Sequence, residues 1–246
     1  MKALLLAIPL SVALANAAET PLERMFDSKL TSAQRMDACF ELRGDGSKPV
    51  AQAMLKALEL DLLRPCAATN LRKAGGVDEL KRALEHESPD VRSAAARELG
   101  SFQLPALLPA LAKVAADPNL LVATNGLEGL SRYSGPEVFP YLETLAKKGG
   151  IVGILALDRL EVLKAPEALM IARQMLKSGE APERVAAIRI IGESGDLADL
   201  PALREIARSK EPAMPPQRGF GLMPQIDLSR ASQSSIAQIE KRAPAR

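Results

Sequence analysis

A single histidine, His86, two cysteines, no tryptophan and only 3% aromatic residues among 246 positions remove many catalytic chemistries at once. Serine- or cysteine-nucleophile hydrolysis would need His86 as its base, and no G-x-S-x-G elbow accompanies it. Phosphate-cradling loops of the G-x-x-x-x-G-K-[ST] or G-x-G-x-x-G kind are absent, so Gly149-Gly150 and Gly219-Phe220-Gly221 read as turns. A metal centre is not expected from one histidine, and His86 is expected at the exposed end of its helix. Paired carboxylates for acid–base work stay open, but no pair stands out. Charge of either sign is not in excess: 25% of residues are charged, interspersed, with a net charge of +2. That balance offers no electrostatic case for nucleic acid or acidic membranes. The few aromatic and β-branched residues also disfavour a β-sandwich.

Long apolar runs are missing too, except at the N-terminus. Lys2 precedes Ala3–Ala15, which is too short to span a bilayer, and Ala15-Asn16-Ala17 is a small-x-small cleavage site. Residues 1–17 are therefore expected to be a cleaved signal peptide, an N-terminal membrane anchor being the alternative. No cysteine follows the cleavage point, so a lipid anchor is not expected. The mature chain is expected to be periplasmic or secreted, with no membrane insertion after cleavage. In an oxidising compartment an even cysteine count favours a Cys39–Cys66 disulfide, against two buried free thiols.

What is present is repetition. Ser88–Gly100 reads S-P-D-V-R-S-A-A-A-R-E-L-G: a residue suited to the N-cap, Pro at the first helical position, an early acid, and a glycine placed to end the helix left-handed. Arg184–Gly192 (R-V-A-A-I-R-I-I-G) copies it closely; Arg64–Leu71 and Arg35–Leu42 copy it loosely. From residue 19 to about 208 the chain reads as pairs of amphipathic helices separated by short turns. Their last apolar positions, Leu42, Leu71, Leu99, Leu130, Leu160 and Ile191, recur every 28 to 31 residues, although Leu127 suits the fourth copy as well as Leu130. Helix pairs at a fixed period specify an α-solenoid, because one pair alone cannot bury both its apolar faces.

The run at Ser88–Gly100, with Pro182–Gly192, resembles the second helix of HEAT-like repeats, in the short variety also found in phycobilin lyases. The resemblance implies an all-α right-handed superhelix of about seven antiparallel helix pairs over residues 18–242. It also implies that Asp90 with Arg92, and Glu183 with Arg184, form a structural ladder between neighbouring repeats, so Arg35, Arg64, Arg92 and Arg184 are not read as a ligand-binding column. His86-Glu87 is similar to the His-Glu pairs with which deoxyhypusine hydroxylases, a HEAT-repeat family, bind iron, but that site needs several pairs and only one is here. Phycobilin handling and HEAT-type DNA glycosylase activity are likewise not expected of an exported chain poor in histidine and aromatics.

Function is then sought on the surface. Aligned on Arg97, the outward positions of the second helices are Phe40, Thr69, Arg97, Asn125 or Glu128, Asp158 and Arg189, a mixed column expected to line the concave face and bind a protein or peptide. One stretch departs from the repeat: the long proline-rich loop 209–227, with Arg218, Phe220 and Met223, read either as a terminal cap or as a binding loop. In the cap reading Phe220 and Leu222 or Met223 pack near Leu203 and Ile236. The tail 243–246 is expected to be flexible. The expectation is a non-enzymatic exported scaffold or adaptor without cofactors; the alternative is an enzyme or enzyme accessory with its site at the 209–227 loop.

Overall fold

A computed structural model describes residues 19–177, 180–209 and 226–243. The signal-peptide reading of 1–17, the loop residues Arg218, Phe220, Leu222 and Met223, and the tail beyond Ala243 lie outside the described residues. The described chain is helical and falls into seven pairs: α1 (Pro21–Phe26) with α2 (Ser32–Glu41), α3 (Lys48–Ala57) with α4 (Arg64–Lys73), and α5 (Val77–Ala83) with α6 (Pro89–Leu99). There follow α7 (Leu108–Val114) with α8 (Leu120–Ser131), α9 (Phe139–Lys148) with α10 (Gly150–Val162), α11 (Glu167–Met175) with α12 (Ala181–Ser194), and α13 (Leu200–Arg208) with α14 (Leu228–Arg242). Among the described residues no helix is long and apolar enough to cross a membrane.

Each pair closes on itself, and each second helix packs on the second helices before and after it, from α2 through to α14. This is an all-α solenoid of two helical layers. The repeating apolar positions explain the stack: Leu71, Leu99, Leu130, Leu160 and Ile191 are all buried. Leu127 is buried as well, so α8 in the fourth repeat uses both of the positions that the period allowed. Ala95 and Ala187 are fully buried between neighbouring helices, where a small side chain permits close approach. α14 completes the seventh pair: the Ser235 hydroxyl donates to the Ile188 carbonyl at 2.8 Å, and Arg242 donates to the Gly195 carbonyl at 2.9 Å.

Local chemistry sets the helix starts. Thr20 and Thr31 form capping boxes with Glu23 and Gln34, and Asn119 and Asp227 cap α8 and α14. Several first helices open on a 3-10 turn. The run from Leu104 begins as a 3-10 turn at Pro105–Leu107, and Pro136–Val138 and Leu197–Asp199 do the same.

Two details at the central repeat differ from the sequence expectation. Ser88 makes no side-chain cap; its N–H instead donates to His86 Nδ1 at 3.0 Å. Gly100 does not end α6 left-handed. Its φ is −57° and the chain continues through a 3-10 turn, with Gln103 at φ 51° taking the left-handed position. The glycine is required for a different reason, since a Cβ there would lie 2.4 Å from the Cα of Gly129.

The cysteines are joined. Cys39 on α2 and Cys66 on α4 form a disulfide with Cα atoms 6.4 Å apart, within the usual span. Both are buried, beside Asn70, whose side-chain amide donates to the Cys39 carbonyl at 2.8 Å.

Candidate functional site: the exposed face of the second helices

The arginines that open the second helices are internal fittings. Arg35 Nε donates to the Met25 carbonyl at 3.1 Å, and Arg64 Nε to the Leu58 carbonyl at 2.8 Å. Arg92 Nη1 donates to the carbonyls of His86 and Glu87, both at 2.8 Å. Each guanidinium thus satisfies backbone acceptors left free where the preceding first helix ends.

Other charged groups tie one repeat to the next. Arg92 makes a two-pronged pair with Asp117, Nε–Oδ2 2.9 Å and Nη2–Oδ1 3.2 Å, and this contact holds the Asp117 carboxyl below its ordinary range. Arg173 grips Asp199 in the same way at 2.8 and 2.9 Å, with the same downward effect. Arg72 reaches Glu98 at 2.7 Å. Asp90 faces Arg64 of the preceding repeat at 3.9 Å, and Glu183 accepts the Gly150 N–H at the start of α10 at 2.6 Å. The ladder between repeats is therefore present, with Arg92 paired to Asp117 and Asp90 facing Arg64.

What faces outward is the column. Phe40 is exposed, with the Arg43 guanidinium 5.1 Å from its ring centre, a cation–π arrangement. Thr69 is half-buried, and Arg97 is exposed with Nε 3.7 Å from Glu98. In the fourth repeat the ambiguity resolves. Asn125 turns to the Ser93 hydroxyl of the neighbouring helix, while Glu128 stays exposed beside Arg132 at 3.0 Å. Asp158 and Arg189 are not independent groups: Arg189 spans Asp158 on α10 and Glu193 on its own helix, the latter at 2.9 Å. Burial pushes the Asp158 carboxyl upward, against the pull of Arg189 and with help from the Glu193 charge. Burial works against the Arg189 cation too, but its hydrogen bonds to Glu193 and the attraction of Asp158 raise its pKa overall.

Sequence alignment on the column misses a second line of residues one and two turns earlier on the same faces. Ile151, Leu155 and Asp158 stand at i, i+4 and i+7 of α10, and Leu121 holds in α8 the place that Ile151 holds in α10. All three apolar side chains are exposed, to 56% at Leu121, 54% at Ile151 and 43% at Leu155. The signal was present in G-I-V-G-I-L-A-L at Gly150–Leu157: a helix apolar on every side must show some of it to solvent. The residues next to them in the chain, Leu120 and Val152, turn instead into a cleft of about 220 Å³ that Pro118, Ala123, Leu145 and Lys148 also line.

His86 lies half-buried in the turn after α5, its Nδ1 occupied by Ser88 and its Nε2 3.6 Å from Glu59. Among the described residues no three His, Cys, Asp or Glu side chains come together as metal ligands.

A family model described as HEAT repeats matches residues 36–128 and, overlapping them, 77–152. No curated protein matches the chain. Among solved structures it is similar to the Escherichia coli protein YibA, at 18% identity over 78% of this chain and 76% of that one, with a TM-score of 0.50. Human deoxyhypusine hydroxylase in complex with glycerol matches at 18% identity, covering 90% of this chain and 95% of that one, with a TM-score of 0.37. The CpcE–CpcF complex of phycocyanin lyase from Nostoc sp. PCC7120 matches at 19% identity, covering 95% and 99%, with a TM-score of 0.42. At such identities the likeness to YibA is one of fold. Residues 36–152 of this chain match the model of HEAT repeats, within an all-α solenoid.

Proposed function

We propose that the chain is an exported, non-enzymatic scaffold or adaptor that binds another protein or a peptide across the exposed face of its second helices. The observation that carries this reading is the continuity of that face. Phe40, Thr69, Arg97, Glu128, Asp158 and Arg189 occupy equivalent places in six consecutive stacked helices. Together they offer a long surface of mixed chemistry. Extended recognition surfaces of this kind are what stacked repeats provide, and many modest contacts suit a protein partner better than a small molecule. Arg35, Arg64 and Arg92, which might have belonged to a ligand-binding row, are occupied by backbone carbonyls. Export is supported by the N-terminal Lys2, apolar run and Ala15-Asn16-Ala17, and by the buried disulfide, which suits an oxidising compartment.

The test is site-specific photo-cross-linking in the native host. A photoreactive residue placed at Phe40, Arg97 or Glu128 should capture a discrete protein, and one placed at Lys56 or Glu143 on the first helices should not. Capture from the first-helix positions alone would overturn the reading.

A further inference from the structure

The face is not uniform along its length. On α10, Ile151, Leu155 and Asp158 share one side, and Leu121 extends the apolar part onto α8. Exposed large apolar side chains on a soluble surface are ordinary when scattered and informative when adjacent. Here Ile151 and Leu155 are exposed one turn apart on α10, and Leu121 is exposed at the equivalent place on α8, the helix packed beside it.

One turn further along α10 the chemistry changes sign. Asp158 and Glu193 share the single guanidinium of Arg189, so two carboxylates stand against one cation. On α8, by contrast, Glu128 and Arg132 neutralise each other. The surplus negative charge is half-buried at Asp158, where an unbalanced carboxylate is costly and a second cation would relieve it.

We propose that the α8–α10–α12 part of the face docks a basic amphipathic segment of the partner protein. The segment would set large apolar side chains on Leu121, Ile151 and Leu155, and a Lys or Arg beside Asp158 and Glu193. The proposal rests on the protein-binding reading above and specifies the chemistry of what is bound. Charge complementarity selects this occupant: an acidic segment would meet the surplus carboxylate, and a wholly apolar one would leave it uncompensated.

The test uses the full chain and two synthetic helical peptides, alike in a leucine stripe at i, i+4 and i+7 but flanked by Lys in one and Glu in the other. Fluorescence anisotropy should show the Lys peptide binding at least about tenfold tighter, with the difference shrinking at high salt. Ile151→Ser with Leu155→Ser should weaken both peptides by roughly tenfold or more. Asp158→Asn with Glu193→Gln should abolish the preference for Lys while the thermal midpoint, followed by circular dichroism, stays within a few degrees. Equal affinity for the two peptides, or binding that neither pair of substitutions alters, would overturn the proposal. So would a dimer of this chain that Ile151→Ser dissociates, since the apolar face would then belong to a second copy. If cross-links come from the second helices while the Lys peptide fails to bind, this inference falls and the scaffold reading stands; cross-links from the first helices alone remove both.

Discussion

Gly100 and Gly129 meet backbone to backbone: a side chain at Gly100 would have to occupy the space 2.4 Å from the Gly129 Cα. Gly126 is in a similar position, with the Ala115 nitrogen 2.5 Å from where its Cβ would lie. Gly100 and Gly129 thus hold the third repeat to the fourth, and Gly126 holds the two helices of the fourth together, at distances that only glycine allows.

Gly100→Ala should therefore destabilise the protein, even though alanine is the better helix former. Helix propensity favours Ala by about 0.5–1 kcal/mol, whereas the clash is with backbone, which cannot rotate away, and overpacking costs typically 1–3 kcal/mol or more. Urea denaturation should show a net loss. A gain in stability would mean that α6 and α8 stand further apart than described.

Ala95→Leu and Arg189→Ala should differ in the same experiment. Ala95 is fully buried between helices, so the larger side chain should cost about 1–3 kcal/mol. Arg189 and Asp158 are close to half exposed, and after solvent screening the loss of their pair should cost less than about 1 kcal/mol. Equal losses would mean that the inner and outer faces of the second helices are misassigned.

Reduction of Cys39–Cys66 should lower stability measurably. The bridge closes 27 residues, and loop entropy for that length is worth about 3–4 kcal/mol. Thiol titration of the denatured, unreduced protein should find no reactive cysteine. Two reactive thiols would refute the bridge.

Acid sensitivity should trace to the ladder carboxylates. Arg92 and Arg173 hold Asp117 and Asp199 below the ordinary carboxylate pKa. With folded values depressed, their contribution is complete above the unfolded value of about 3.9 and is lost as pH falls through the folded values. Wild type should accordingly lose stability between about pH 4 and pH 2 more steeply than Asp117→Asn combined with Asp199→Asn. The double variant should already be weaker at pH 7, by roughly 1.5–3 kcal/mol for each charged hydrogen-bonded pair lost. Parallel pH profiles would show that the two pairs do not contribute.

The helix pairs, their period and the buried positions Leu71, Leu99, Leu130, Leu160 and Ile191 were legible in the chain itself. They depend on local propensity and on a face that must be covered, and both leave a periodic trace. The Cys39–Cys66 partnership was legible for the same reason, since both cysteines sit at related places in consecutive copies. Contacts made across repeats left no such trace. Gly100 looked like a helix stop because a glycine after an apolar run usually is one; that it faces Gly129 depends on a helix 29 residues away. Ser88 looked like a capping side chain, yet its N–H is drawn to His86. That Asp90 and Arg92 serve a ladder between repeats followed from the resemblance, but their individual partners, Arg64 in the repeat before and Asp117 in the repeat after, are set by the stack. The line of Leu121, Ile151 and Leu155 was hidden in an apolar run whose outward side is chosen by packing alone. Sequence determined that this protein is a stack of helix pairs; tertiary structure decided which charges neutralise one another and which apolar residues remain exposed, because both are settled between helices and not within them.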